Sequence, residues 1–231
     1  MPISLIGLDA DDTLWHNETI FRMTHDRFNA LLSDFAEADE VEAHLAEVER
    51  RNIPAYGYGA KSFTLCMLEA AIEVSGQNVP AQVIGEILAA GREMMAHPVE
   101  PLPGVEDALE VLAGRGRLIM ITKGDLFHQE QKLAASGLGE FFSGVEIVSD
   151  KKPETYRHIF ARHGGDAQTA VMAGNSMRSD VLPALEAGSW AALIPYPIVW
   201  AHEAAEAPEN HPRYRELGSL AELPGWIEEI G

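Results

Sequence analysis

The feature that most constrains the fold is an alternation of short apolar runs with amphipathic helical stretches. Five runs rich in aliphatic and β-branched residues predict strands, at 3–8, 117–121, 144–148, 169–173 and 190–194. Helical patterns follow or precede the later runs, at 104–113, 125–136, 153–163 and 179–187. This alternation predicts an α/β fold whose parallel sheet carries helices on both faces. Ligands of such sheets bind beyond the carboxyl ends of the strands.

Residues 16–101 interrupt the alternation, because they contain helical patterns and no strand-like run. The patterns lie at 18–34, 39–51, 61–75 and 80–96, and a further helix is expected within 218–230. We therefore predict a catalytic core formed by residues 1–15 and 102–231 and an inserted α-helical cap formed by residues 16–101.

The charge balance restricts the partners of the chain. It carries 17 Lys and Arg against 36 Asp and Glu, a formal charge of -19. Nucleic acids and anionic membranes are bound by basic surfaces, so neither is expected as a partner. A single cysteine, no signal-like N-terminus and no long apolar run favour a cytoplasmic protein. The sequence leaves open whether it is a monomer or a homodimer.

The first predicted strand ends in two carboxylates, Asp9 and Asp11, that are followed by Thr13. Carboxylates two residues apart on a turn can converge on one small volume, where their repulsion requires a proton or a cation. Magnesium fits, since it prefers oxygen ligands and bridges to phosphate oxygens. A capped helix N-terminus is the structural alternative.

Further polar residues follow other predicted strands. Thr122 could hold phosphate oxygens with its hydroxyl and the backbone N–H groups around it. Lys152 begins a predicted helix, where a cation needs an anionic partner to offset the helix dipole. Asn175 and Asp180 supply oxygen ligands after the fourth strand. Taken alone, Thr122 is better explained as a capping threonine and Lys152 as a surface lysine, whereas the segment with Asn175 and Asp180 is moderately informative.

Taken together, these residues resemble the four motifs of the haloacid dehalogenase superfamily, which run along essentially the whole chain. The matching positions are Asp9, Asp11 and Thr13 for the first motif, Thr122 for the second, Lys152 for the third, and Asn175 with Asp180 for the fourth. Lys151 competes with Lys152 for the third position. Asn175 departs from the pattern, because phosphatases of the superfamily more often have Asp there.

The resemblance implies a Rossmann-like core, a helical cap and a magnesium-dependent phosphatase acting on a small-molecule phosphate ester. Asp9 would attack phosphorus and form an aspartyl-phosphate intermediate. Asp11 would act first as acid and then as base. Thr122 and Lys152 would hold the phosphoryl oxygens.

The resemblance also implies a metal site and a substrate site. The metal ligands would be Asp9, Asp11 through its backbone carbonyl, and Asn175, with Asp180 supporting them. The core contacts to substrate would be Thr13, Thr122, Lys123 and Gly124. In the cap, a loop rich in glycine and tyrosine leads to the separate hypothesis that Tyr56, Tyr58 and Lys61 shape substrate choice, with an ordinary helix connection as the alternative.

Several alternatives stay open. A 2-haloacid dehalogenase would use the same nucleophile without metal, but its first motif carries Tyr at the position of Asp11. A non-catalytic phosphoester-binding protein is supported only by Asn175. Phosphoryl transfer to a metabolite and phosphonate hydrolysis through Lys61 are further possibilities. The segment from Trp200 to Glu203 is expected to have a loop or interface role.

Overall fold

The computed structural model describes residues 2–198, 200 and 203–231, and it contains two compact units. The first runs to Glu18 and includes Val99–Lys123 and Gln129–Gly231. The second comprises Thr19–Pro98 and Gly124–His128. The short segment 124–128, which the sequence assigned to the core, belongs to the helical unit, where Asp125 accepts a hydrogen bond from Lys61.

The first unit is built on a parallel sheet with strand order β3-β2-β1-β4-β5-β6. The strands are β1 Leu5–Leu8, β2 Arg117–Lys123, β3 Gly144–Val148, β4 Ala170–Gly174, β5 Trp190–Leu193 and β6 Tyr214–Glu216. The predicted α/β fold is confirmed. The sequence did not predict β6, because this three-residue edge strand has no buried residue and no apolar run.

The helices alternate with the strands except where the second unit is inserted and between β5 and β6, where the described residues contain no α-helix. In chain order they are α1 Glu18–Leu31, α2 Ala38–Tyr56, α3 Ala60–Val74, α4 Ala81–Met95, α5 Val105–Ala113, α6 Leu126–Ser136, α7 Pro153–Arg162, α8 Leu182–Ala187 and α9 Leu223–Ile230. The first four form the helical unit, apart from Glu18 at the start of α1. None of the described helices is long and apolar enough to cross a membrane.

Strand residues face opposite sides of the sheet in turn, and each side has its own apolar core. Ile6 and Leu8 pack with residues of α5 and α9, whereas Leu5 packs with residues of α7 and α8. Full burial of side chains of this size stabilises the fold by about 1.5–3 kcal/mol each. Gly7 must be small, since a Cβ there would lie 2.9 Å from Ile121 Cδ1.

The strand register places three strand ends side by side. Leu8, the last residue of β1, pairs with Met120 of β2 and with Ala173 of β4. The residues just beyond these pairs are therefore neighbours at the carboxyl edge of the sheet. This edge is where Asp9, Thr122 and Asn175 lie.

The helical unit has a separate apolar core. Its fully or nearly fully buried members include Phe28, Leu45, Phe63, Met67 and Ile87. Cys66 is buried in the same core as a free thiol. The helical unit thus has its own hydrophobic interior, and its role as a cap stays a prediction.

Candidate active site

Asp9 lies directly beyond β1 and is buried. Its backbone N–H donates to Ala173 O at 2.9 Å, which fixes the backbone between β1 and β4. Thr13 donates its hydroxyl proton to Asp9 Oδ2 at 3.3 Å. The Lys151 ammonium lies 2.5 Å from the other carboxylate oxygen, Oδ1.

The buried lysine of the site is Lys151, and the expectation for Lys152 was wrong. Lys151 has a side chain that is 2% exposed and also lies 2.7 Å from Asp180 Oδ1. The Lys152 side chain is 66% exposed and pairs with Asp150. Lys152 precedes α7 in an extended conformation, in which successive side chains point in opposite directions. One lysine therefore faces the site and the next faces solvent.

A single ammonium group thus serves two buried carboxylates. Burial raises the pKa of Asp9, and the charges of Asp180 and Asp11 raise it further, so that they outweigh the attraction of Lys151. The cluster holds three carboxyl groups, of Asp9, Asp11 and Asp180, and two ammonium groups, of Lys151 and Lys132. Full ionisation would leave one negative charge, which a proton or a cation would balance.

Oxygen atoms converge beside Asp9. The side-chain amide of Asn175 lies beside two of them: oriented with its nitrogen toward the site, it donates hydrogen bonds to the backbone oxygen of Asp11 at 3.2 Å and to Asp9 Oδ2 at 3.3 Å. Rotated by half a turn, the amide would instead present its oxygen there as a possible cation ligand. Among the described residues, no group of three His, Cys, Asp or Glu side chains could hold a metal ion. The candidate set is a mixed one, with a carboxylate, a backbone carbonyl and an amide.

Asp180 supports the loop that carries Asn175. Its Oδ2 accepts a hydrogen bond from the Ser176 N–H at 2.9 Å, while its Oδ1 bonds to Lys151. From α7, the buried Tyr156 hydroxyl donates a hydrogen bond to the backbone oxygen of Ser179, at a distance of 2.8 Å. These bonds hold the loop after β4 against Asp9.

The carboxylate of Asp11 has a different set of partners from Asp9. Lys132 Nζ lies 2.5 Å from Asp11 Oδ1, to which Trp15 Nε1 donates at 2.8 Å. Gln129 donates to Asp11 Oδ2 at 3.1 Å. Burial acts to raise the pKa of Asp11, but the charge and hydrogen bond of Lys132 outweigh it, and the net shift is downward. Asp11 is therefore held as a carboxylate.

Gln129 joins Asp11 to the end of β2. Its Nε2 donates to Thr122 Oγ1 at 2.7 Å and to Lys123 O at 2.9 Å, and the side chain is almost completely buried. The Thr122 hydroxyl donates to Lys123 O at 3.2 Å. Gln129 Oε1 is buried without a hydrogen-bond partner. Thr122 is thus oriented at the strand end by α6.

A second buried ion pair lies across the same edge. Lys123 Nζ is 2.5 Å from Glu203 Oε1 and donates to Ser179 Oγ at 2.9 Å. Glu203 Oε2 accepts from Ser179 Oγ at 2.5 Å and from the hydroxyl of Ser176. Burial acts to raise the pKa of Glu203, but Lys123 outweighs it and the pKa is lowered. Trp200 belongs to the described part of this segment, whereas His202 lies outside the described residues.

The remaining predicted substrate contacts belong to the helical unit. Tyr56 donates its hydroxyl proton to Glu69 at 2.6 Å, and Lys61 bonds to Asp125 at 2.9 Å. Gly124 has a positive φ of 121°. Tyr58 is half-buried. Roles of these residues in binding substrate stay predictions.

Sequence reasoning missed Lys132 and Gln129, and it assigned Glu203 only a loop or interface role. Lys132 and Gln129 are three residues apart on α6 and lie on its buried face. Polar residues at helical spacing on a buried face could therefore have been recognised in the sequence. No comparable signal marked Glu203, because it lies in a segment without periodicity, 80 residues beyond Lys123.

Comparison with known proteins identifies the family. Residues 3–188 match the family model of the haloacid dehalogenase-like hydrolases. The chain belongs to this family, and the first-motif aspartates, Thr122 and the buried lysine lie within the matched residues. A haloacid dehalogenase-like hydrolase structure from Xanthomonas campestris is 40% identical, covers 99% of this chain and 91% of its own, and has a TM-score of 0.89.

Other relatives lie in two activity classes. A mouse N-acylneuraminate-9-phosphatase is 26% identical over 134 residues, which cover 54% of this chain and 51% of the mouse protein. The chain thus spans about half the length of the curated relatives that it matches. The structure of a 2-haloacid dehalogenase from Pseudomonas syringae pv. tomato, 20% identical with a TM-score of 0.66, covers 99% of this chain and 100% of its own. At that identity the likeness concerns the fold alone.

Proposed function

We propose that the protein is a magnesium-dependent phosphatase that hydrolyses a small-molecule phosphate monoester through an aspartyl-phosphate on Asp9. The observation that carries the proposal is the convergence of the Asp9 carboxylate, the Asp11 backbone carbonyl and the Asn175 side-chain amide beside the Lys151 ammonium. A nucleophilic carboxylate, a cation site and phosphate-binding donors are the parts that phosphoryl transfer requires.

The geometry of the oxygen group suits magnesium. Ligands of Mg²⁺ lie about 2.0–2.1 Å from the ion in octahedral geometry, so neighbouring ligand oxygens are roughly 3 Å apart. The Asn175 side chain lies 3.2 Å from the Asp11 backbone oxygen and 3.3 Å from Asp9 Oδ2, so the three groups are close enough to share one ion. Held by them, magnesium would supply positive charge to offset that of the phosphoryl group.

Asp9 supplies the nucleophile. In the first step a carboxylate oxygen of Asp9 forms a bond to phosphorus while the bond from phosphorus to the leaving oxygen breaks. Lys151 and the Thr122 hydroxyl stabilise the charge of the transferring group. In the second step water attacks phosphorus, the bond to Asp9 breaks and inorganic phosphate leaves.

Asp11 moves the protons of both steps. It donates a proton to the leaving oxygen in the first step and takes one from the attacking water in the second. The contact with Lys132 favours the ionised form of Asp11, which is the form that the second step needs. The first step requires Asp11 to take up a proton against this contact.

The proposal favours a phosphatase over a dehalogenase because of Asp11. A leaving alkoxide needs a proton, whereas a leaving halide does not, and Asp11 is the group that can supply one. The low-identity mouse phosphatase supports the same choice weakly.

The first experiment is hydrolysis of p-nitrophenyl phosphate with Mg²⁺, with a chelator and with the Asp9→Asn variant. We expect turnover that the chelator suppresses and the variant lacks. Chloride release from 2-chloropropionate without metal would instead indicate a dehalogenase. Binding of phosphate esters without turnover under any divalent metal would contradict the proposal and favour a binding protein.

A further inference from the structure

The contact between Lys123 and Glu203 spans the strand end that carries the nucleophile. β2 and β4 flank β1 in the sheet, and Lys123 at the end of β2 bonds to Ser179 in the loop after β4. Adjacent strands lie about 4.8 Å apart, so this connection bridges roughly twice that distance across the end of β1. Asp9 lies at that end, between the two strands.

Glu203 is held there as an ionised group by three donors. Lys123 supplies a charge at 2.5 Å, and the hydroxyls of Ser176 and Ser179 supply the other two hydrogen bonds. The side chains of Lys123 and Glu203 are 13% and 16% exposed. Both charges are therefore weakly screened by water and act on anions bound nearby.

The pair reduces the electrostatic attraction between Lys123 and a second anionic group on a substrate. Without Glu203, the Lys123 ammonium would attract a carboxylate or phosphate carried by the leaving group. With Glu203 that charge is already neutralised, and Lys151 is already shared by Asp9 and Asp180. The cations of this strand edge are thus matched by carboxylates of the protein itself.

We propose that Glu203 is a specificity-determining residue, which neutralises Lys123 so that the site favours phosphate esters whose leaving group is uncharged over those whose leaving group is anionic. The inference rests on the proposed function, since it names the substrate class of the same site. It concerns discrimination between two ligands, which depends on a difference in binding free energy and not on affinity itself.

The test compares two ligands of similar size in an Asp9→Asn background, so that binding is measured without turnover. Glycerol 3-phosphate has a neutral leaving group, and 3-phosphoglycerate carries a carboxylate in its place. Binding of each is titrated calorimetrically with Mg²⁺ present. We expect Glu203→Gln to raise the affinity for 3-phosphoglycerate relative to glycerol 3-phosphate by about tenfold, and less at high salt.

Three further variants make the result specific. Glu203→Asp keeps the charge and should keep the original affinity ratio. Lys123→Met combined with Glu203→Gln removes the released cation and should return the ratio to within about twofold of its original value. Glu229→Gln removes the same charge from an exposed pair with Arg215 and should leave the ratio unchanged.

Other results would overturn the inference. If Glu203→Gln lowers the affinity for both ligands equally, the residue only supports the loop after β4. If it raises the affinity for both equally, Glu203 merely obstructs the site. Binding of neither ligand to any variant also contradicts it. Failure of the proposed function appears in a different assay, as absence of phosphate release by the unmodified protein.

Discussion

Lys151 places its ammonium 2.5 Å from Asp9 Oδ1, and the same group lies 2.7 Å from Asp180. This arrangement joins the proposed nucleophile on β1 to the loop after β4 through one buried cation. The adjacent Lys152 has no part in it, since its exposed side chain pairs with Asp150.

The two lysines therefore predict opposite outcomes for the same substitution. Lys151→Met should lower kcat for an aryl phosphate by about a thousandfold, because the charge that stabilises the transferring group is lost. Lys152→Met should change kcat by less than about twofold, as expected for an exposed pair. Steady-state kinetics measure both, and circular dichroism checks that each variant folds. Similar losses in the two variants would contradict the assignment.

The contact between Lys132 and Asp11 predicts a change in pH dependence. Removing the cation in Lys132→Met should raise the pKa of Asp11, because the charge that lowers it is gone. A protonated Asp11 would then persist to higher pH, and the pH at which kcat/KM falls for an alkyl phosphate should move up. An aryl phosphate, whose leaving group needs no proton, should show a smaller movement.

The measurement for Lys132 is a pair of pH–rate profiles for glycerol 3-phosphate and p-nitrophenyl phosphate. Gln129→Leu is the matched variant, since it removes a neutral partner of Asp11 from the same helix face. It should move the profile less than Lys132→Met does. Equal loss of rate for both esters with an unmoved profile would mean that Lys132 only supports the fold.

Substitutions at Asn175 should change the affinity of the protein for magnesium. Asn175→Asp adds a negative charge to the proposed metal ligands, which include Asp9, and it should tighten Mg²⁺ binding by about tenfold. Asn175→Leu should weaken it by at least as much. Titration of the metal-free protein measures both. Asn78→Asp is the control, because it makes the same change of charge at an exposed position of the helical unit; it should leave the Mg²⁺ affinity unchanged. If the Mg²⁺ affinity is unchanged in both Asn175 variants, Asn175 is not part of the metal site.

The fold was predictable because its strands are apolar runs that end in polar residues. β1 and β4 are entirely buried, so their sequences carry a strong signal. β6 carries none, because it lies at the sheet edge and pairs with β5 alone. Local pattern identified the strand ends that carry Asp9, Thr122 and Asn175, and parallel topology brought them together.

The choice between Lys151 and Lys152 could not be made from local pattern. Both precede the proline that begins α7, and only the direction of the extended backbone decides which side chain is buried. Glu203 was equally inaccessible, since its contact with Lys123 depends on the path of the chain after β5. Pairings across long sequence separations are set by tertiary structure, on which local periodicity carries no information.

The buried Glu49 should make the stability of the helical unit depend on pH. This α2 residue is 8% exposed, and burial raises its pKa from the ordinary value of 4.5 to about 7. Below pH 4.5 the carboxyl group is protonated in both the folded and unfolded states and costs nothing. As the pH rises from 4.5 to about 7, the carboxyl group ionises in the unfolded chain while the folded protein keeps it protonated, so stability falls by at most about 3 kcal/mol and is constant at higher pH.

Glu49→Gln removes this penalty without changing the size of the side chain. The gain in unfolding free energy of the variant over the unmodified protein should therefore be about 2 kcal/mol larger at pH 8 than at pH 5.5. Urea unfolding at the two pH values measures it. Glu47→Gln is the matched control, because Glu47 is exposed and lies 3.9 Å from Arg50; its effect should stay within about 0.5 kcal/mol at both pH values. Parallel stability curves for Glu49→Gln and the unmodified protein would show that the buried carboxyl group finds solvent or a partner when it ionises.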